Sequence, residues 1–420
     1  MSTFITGISE LRTVSELGTI KDAAMLIDDG VVTWVGPADQ APEEAKQAET
    51  VDVEKRAVLP GWVDSHTHMV FDGNRAEEFE ARMAGEGYAA GGIAVTMEAT
   101  RSAGEERLDK LVAERIAAAQ ALGTTTFETK TGYGLNVESE AEAARVAARH
   151  VDEVTFLGAH LVPPGADADE YLDEVVGPML DAVKDHVQWI DVFCERGAFN
   201  EEQSRRVLEA GKAAGLGVRV HGNQLGEGPG VKLAVEMGAA SVDHVNYLSD
   251  EDIKLLAESD TVATLLPACD LSTREELAPG RKLIDAGATV AIASNLNPGT
   301  SFTSSIHFCV TTGGAKALRR HNVGDGQDPQ GRPAKGPRVP AAMASSRVRC
   351  CWSTAVVTQK FIEEVYEVPG LRLEAMATVA PASRSLRPGA SGSRVDRSQA
   401  GNSVATVSEE ASASISASLR

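Results

Sequence analysis

VLPGWVDSHTHMVF, residues 58–71, is an apolar run broken by Gly61 and Asp64 that ends in two histidines, His66 and His68, two positions apart. In an extended strand the side chains at i and i+2 share a side, so both imidazoles can face one point. Neutral imidazole is the commonest transition-metal ligand, which makes the pair half of a metal site. Standing alone, His-x-His at a strand end reads first as two solvated or packed histidines. The rest of the chain decides between those readings.

Working outward, extended segments recur at 58–66, 124–131, 153–160, 187–195, 217–223, 240–248, 261–268 and 289–295. Most are near-continuous Val, Ile, Leu, Thr and Phe, the composition of strands buried on both faces of a parallel sheet. Ala/Glu-rich stretches with helical period lie between them, at 104–122, 137–150, 168–185, 200–214, 228–237 and 249–258. Eight strands alternating with helices predict an α/β protein with a TIM-like (β/α)8 barrel over residues 58–320. A doubly wound open sheet is the alternative, but no GxGxxG follows the first strand.

Residues 1–57 read differently. Segments 23–35 and 48–53 predict short antiparallel strands, with a turn at Asp28-Asp29-Gly30. That makes a small β-sandwich domain needing partner strands from elsewhere, because a lone hairpin is marginal. Residues 321–420 include GDGQDPQGRPAKGPRVP and end in Ser/Ala repeats, a composition that predicts disorder.

The chain has 40 Lys and Arg against 61 Asp and Glu, a net charge of −21 that argues against nucleic-acid binding. No apolar stretch approaches the roughly 20 residues of a membrane span. The N-terminal MSTFITGISELRTVSE lacks a signal-peptide layout, so a cytoplasmic location is expected. Five cysteines without CxxC spacing read as reduced thiols.

The polar residues fall where barrel enzymes keep their chemistry, at the C-terminal ends of the strands. His66 and His68 end the first, and Glu128, Lys130 and Tyr133 end or follow the second. His160 ends the third, Glu195 the fourth, His221 with Asn223 and Gln224 the fifth, His244 the sixth, and Asn295 and Asn297 the eighth. Five of the nine histidines thus converge on one barrel mouth. That pattern predicts metal-assisted hydrolysis, with His66, His68 and His221 holding a divalent ion that keeps a position open for water. His244 is the candidate to shuttle a proton or stabilise a tetrahedral oxyanion. The remaining histidines, His150, His186, His307 and His321, flank helices and read as solvated or capping.

The assembled pattern resembles the amidohydrolase superfamily and, more closely, the imidazolonepropionase family. The matching pieces are LPGWVDSHTHMVFDGNRAEEF (59–79), TTTFETKTGYGL (124–135), TFLGAHLVP (155–163), VHGNQ (220–224), SVDHVNYL (241–248) and ASNLNPGTSF (293–302). The resemblance spans about residues 1–310, in order. It implies hydrolysis of the ring amide of 4-imidazolone-5-propanoate, a small molecule, to N-formimino-L-glutamate in histidine degradation. It further implies one zinc or iron ion and a homodimer. By position, the metal ligands fall on His66, His68, His221 and Asn295, and the catalytic roles on His244 and Gln224. Arg75 matches a propionate-gripping arginine, a role suited to the bidentate guanidinium fork. Tyr133, His160 and Gln224 match substrate-contacting residues, and Asn297, Gly299 and Thr300 match the loop after strand eight. Lys130 and Glu128 read as interior polar residues, and Glu195 as a support rather than a catalytic acid.

The chain departs from that pattern twice. The family has Asp where this chain has Asn295, and an amide offers a neutral oxygen that cannot act as base near pH 7. After FCV (308–310) a helical stretch is missing before TTGGAKAL, and the return strands are replaced by an Arg/Ser-rich tail, as a deletion followed by a change of reading frame would leave. Another cyclic-amide amidohydrolase or deaminase, or an inactive remnant of the family, therefore stay open as readings.

Overall fold

A computed structural model of the chain describes residues 2–15, 17–85 and 92–313. The expectation of disorder over 321–420 and the altered segment after residue 313 lie outside the described residues.

The N-terminal sheet is built from β1 (Ser2–Arg12), β2 (Thr19–Asp28), β3 (Val31–Pro37), β4 (Glu49–Asp52) and β5 (Ala57–Val58). β2 and β3 form the expected hairpin. Asp29 and Gly30 both take left-handed φ, 47° and 80°, as the tight two-residue turn between antiparallel strands requires. Residues 2–12, not read as a strand from sequence, supply the central partner. The alternation is broken there by an irregularity between Ile5 and Ile8, around Gly7 at φ 70°, so that two isoleucines three apart both reach the core. A second correction concerns 48–53: β4 runs parallel to β1, not antiparallel. Ile5, Ile8, Leu11, Ala23, Val53 and Val58 pack beneath the sheet.

The segment 58–66, read as one strand, is two. Val58 pairs with Leu11 in the N-terminal sheet, whereas β6 (Trp62–Asp64) opens the barrel. Pro60 between them has no N–H to give to a ladder, so the chain changes sheets there. The other barrel strands are β7 (Thr124–Lys130), β8 (Glu153–Ala159), β9 (Trp189–Cys194), β10 (Gly217–Gly222), β11 (Ser241–His244), β12 (Val262–Leu265) and β13 (Val290–Ile292). They pair in parallel in chain order as an eight-stranded sheet.

The helices are α1 (Ala76–Met83), α2 (Ile93–Ala103), α3 (Glu105–Ala121), α4 (Val137–His150), α5 (Ala168–Glu174), α6 (Leu180–Val183), α7 (Glu201–Ala213), α8 (Gly230–Glu236), α9 (Asp250–Ala257), α10 (Pro267–Thr273), α11 (Gly280–Ala286) and α12 (Ile306–Thr312). Each of α4, α7 and α9 begins at a side-chain cap, from Asn136, Asn200 and Ser249. The stretch 168–185 is interrupted between α5 and α6 at Gly177-Pro178, where Pro178 cannot donate to the helical ladder. Among the described residues no helix is long and apolar enough to cross a membrane.

The barrel closes just past the strand ends. Thr67 bridges Leu296 in parallel, His68 N donates to Leu296 O at 2.8 Å, and Asn295 N donates to His66 O at 3.0 Å. Ser294 N donates to the buried Asp64 carboxylate at 3.1 Å. The seam that shuts the barrel is therefore made by the residues flanking and including the His-x-His pair and Asn295.

Candidate active site

Four imidazoles gather at the seam. Ring centroids lie 4.6 Å apart for His66 and His221, 5.3 Å for His66 and His68, and 5.6 Å for both His68–His221 and His221–His244. His66, His221 and His244 form one donor set, with ligand atoms that all fall within 4.8 Å of one another. His68 stands at the edge of this set, its ring stacked on His160 at 5.7 Å. All four are at most 3% exposed. The pKa values of His66 and His68 are depressed, first by burial and then, for His66, by Lys130 and His221, and for His68 by His66. His244 is lowered by burial and by His221.

Carboxylates beneath the rings fix which nitrogen faces the centre. His66 Nδ1 lies 2.7 Å from Asp243 Oδ2, and His221 Nδ1 lies 3.0 Å from Asp191 Oδ2. A ring nitrogen held by a carboxylate carries the proton, so the opposite nitrogen is the free lone pair. Lys130, fully buried, binds the two carboxylates together. Its Nζ is 3.0 Å from Glu128 and from Asp191, and 3.7 Å from Asp243. Burial opposes its charge, but the three carboxylates outweigh burial and raise its pKa. Burial likewise pushes the Asp243 carboxyl up, and Lys130, then His221, reverse that and hold it below the usual range.

The residues fit a metal ion. His66 Nε2, His221 Nε2, His68 Nδ1, His244 Nδ1 and Asn295 Oδ1 are buried and have no hydrogen-bond partner. Buried polar atoms are nearly always satisfied in folded proteins. These five are nitrogen and oxygen atoms able to offer a lone pair, drawn from strand ends at one mouth of the barrel, the donor type a transition metal takes.

Above them lies an open cleft of about 500 Å³, lined in part by His68, Arg75, Tyr133, His160, His221, Gln224, His244, Asn295, Asn297 and Thr300. Of the residues expected from sequence, His66 and Gly299 are not among those that line it. His160 donates from Nδ1 to Gly132 O at 2.9 Å, and burial lowers its pKa to about 4. Gln224 is held through its backbone, its N–H donating to Glu195 Oε1 at 2.6 Å. Asn297 is a turn-former: its Oδ1 accepts from Gly299 N and Thr300 N at 2.8 and 2.7 Å, and its Nδ2 donates to Asn295 O and Thr300 Oγ1. Its polar atoms are spent on the loop that faces Arg75.

No model of a known protein family matches the chain. Curated relatives do. An imidazolonepropionase of Arthrobacter sp. (strain FB24) is 58% identical, covering 81% of this chain and 92% of its own length. The imidazolonepropionase of Saccharopolyspora erythraea is also 58% identical, over 84% of this chain and 93% of its own. The chain belongs to the imidazolonepropionase family. Solved structures share the fold at low identity. A guanine deaminase from C. acetobutylicum with bound guanine aligns with TM-score 0.55 at 14% identity, over 74% of this chain and 78% of its own. An adenosine deaminase from Xanthomonas campestris with bound zinc aligns with TM-score 0.53 at 17% identity, over 75% and 73%.

For an imidazolonepropionase-family chain, the sequence reading missed the under-layer. Asp191 and Asp243 were not singled out, nor were Glu78 and Arg82 beside Arg75. One signal was available: a carboxylate inside an otherwise apolar strand, as in WIDVFC and SVDH, is expensive unless paired. Phe193 and Leu161, which line the cleft, carry no polar signal at all. His307, read as solvated or capping, is half-buried and accepts from Trp62 Nε1 at 2.7 Å.

Proposed function

We propose that this chain is a metal-dependent hydrolase that opens the ring amide of 4-imidazolone-5-propanoate, giving N-formimino-L-glutamate. The observation that carries the reading is one cleft that meets a cluster of imidazoles with unpartnered ring nitrogens and holds, in Arg75, a guanidinium suited to the substrate's carboxylate. His66, His68, His221 and the Asn295 amide oxygen would hold the ion, and a nitrogen-rich set with one oxygen suits zinc or iron. The chemistry such an ion supplies when bound is Lewis acidity, which acidifies a water and polarises the ring carbonyl.

The protein's own residues do the rest. Arg75 anchors the propionate, and Tyr133, His160 and Gln224 border the ring and fix its orientation. In the reaction the carbonyl carbon gains the water oxygen, the ring C–N bond breaks, and the nitrogen leaves as the amino end of the formimino group. His244, which lines the cleft, would carry the proton from the water to that nitrogen. Asn295 cannot take this role, since an amide does not accept a proton near neutral pH.

The test is loss of the imidazolonepropanoate absorbance by purified protein whose metal content has been measured, with and without a chelator. Asn295→Asp should preserve or raise metal-dependent turnover. A large loss in Asn295→Asp with metal still bound would sink this account of the site. A metal-loaded protein with no turnover would instead favour the inactive-remnant reading, which Asn295 supports.

A further inference from the structure

We propose that Glu78 is the positioning residue of the carboxylate subsite, holding Arg75 by one edge of its guanidinium so that the other end is left for a substrate carboxylate. The proposal rests on the reading above that Arg75 receives the propionate.

Arg75 immediately precedes α1, and Glu78 lies one turn further on, so the two side chains meet at i,i+3 spacing. Glu78 Oε2 accepts from Arg75 Nε at 2.7 Å, and Oε1 accepts from Nη2 at 2.7 Å. A guanidinium presents its N–H groups in more than one fork. Glu78 takes the Nε–Nη2 edge, and the Nη1 end remains, bordering the loop whose Asn297 and Thr300 line the cleft.

The slot has glycine on both sides. A Cβ at Gly299 would lie 2.2 Å from Arg75 Nη1, and one at Gly92 would lie 1.8 Å from Glu78 Oε2 and 2.5 Å from Arg75 Nη2. Neither distance is compatible with a side chain, so the pair is seated where two backbones leave room for it. Glu78 also accepts from Arg82 Nη1 at 3.2 Å, and Arg82 Nη2 donates to Gly299 O at 2.6 Å. One carboxylate thus serves two guanidiniums whose side chains are 6% and 2% exposed. Glu78 occupies only one edge of Arg75, and a carboxylate completes the charge of the remaining end where a neutral group does not.

The test uses the full-length, metal-loaded protein and two stable probes, 3-(imidazol-4-yl)propanoate and its amide, in calorimetric titrations of wild type, Glu78→Ala and Glu78→Gln. Wild type should prefer the acid. Glu78→Ala should weaken acid binding by about tenfold or more, the loss expected for charged hydrogen bonds, and leave the amide unchanged. In turnover the loss should fall on KM with kcat changing less, and Glu78→Gln, which keeps an acceptor, should lie between. If Glu78→Ala does not fold, Glu78→Gln carries the comparison. Equal losses for acid and amide, no loss, or tighter acid binding would each overturn the proposal. A wild type with no preference for the acid would overturn the Arg75 reading as well, and so separates the two failures.

Discussion

Replacing Lys130 with methionine removes the one cation that joins Glu128, Asp191 and Asp243 and leaves a side chain of similar length. In wild type the ammonium sits 3.0 Å from two of these carboxylates and 3.7 Å from the third, with no exposure to water. At an effective dielectric near 20, a 3.0 Å contact between unit charges is attractive by about 5 kcal/mol. Burying the ammonium cancels much of that, and breaking such buried groups has a net cost of about 3–5 kcal/mol. Lys130→Met should therefore lose about 3–5 kcal/mol in urea unfolding at pH 7, measured on chelator-treated protein so that metal binding does not contribute. The pH dependence has a definite sign. Asp191 and Asp243 are held below the usual carboxylate range, so they stabilise the wild type above the unfolded pKa near 4 and lose that contribution as pH falls through the folded values. Without Lys130 burial raises these carboxyls, one of them takes up a proton, and the deficit narrows on acidification toward pH 5. The exposed Lys110, 3.8 Å from Glu114, is the control, and Lys110→Met should cost under about 0.5 kcal/mol. A Lys130→Met variant within about 1 kcal/mol of wild type at pH 7 would refute the reasoning.

Gly222→Ala should be destabilised by about 1–3 kcal/mol and should purify with less metal. A Cβ there would lie 2.9 Å from the Gly230 Cα, so β10, which carries His221, or the start of α8 must move, and normal metal content with normal stability would count against this packing. His307 should make a separable contribution to acid lability. Burial lowers its pKa, so the fold holds it neutral, and its contribution is complete above the unfolded value near 6.5 and lost as pH falls below it. His307→Gln keeps an acceptor for Trp62 and cannot titrate, so its unfolding midpoint should drop less than that of wild type between pH 7.5 and 5.5; equal drops would remove His307 from the account.

The barrel was legible because parallel strands covered on both faces must be apolar throughout, and their polar ends then stand out as a set. The five converging histidines were read from that contrast, and their rings do meet. The layer beneath them was not legible for a geometric reason. Asp243 precedes His244 in the chain, yet its carboxylate serves His66, 177 positions away, and His244, at φ 83°, leaves strand alternation so that it also reaches His66. The same limit hid β1, where the irregularity at Gly7 puts two core residues out of alternation, and it merged β5 with β6, which belong to different sheets.

Asn295 shows how far sequence and structure must be read together. By residue type it is a loss, an amide where the family pattern carries an acid. By position it is also part of the closure, but through its backbone: its N–H donates to His66 O, next to the bond from His68 N to Leu296 O. Its side-chain oxygen makes no hydrogen bond that holds the barrel shut. Closure is therefore independent of whether residue 295 carries an amide or a carboxylate, and its left-handed φ of 51° is one that Asn and Asp both tolerate better than most residues. The exchange to aspartate changes charge and basicity in the cleft that His68, His221 and His244 also line, while the backbone bonds of the seam stay as they are. Any change in metal retention or turnover it brings reports the chemistry of this side chain, its unpartnered oxygen and the amide beside Cys269, rather than a reopened seam.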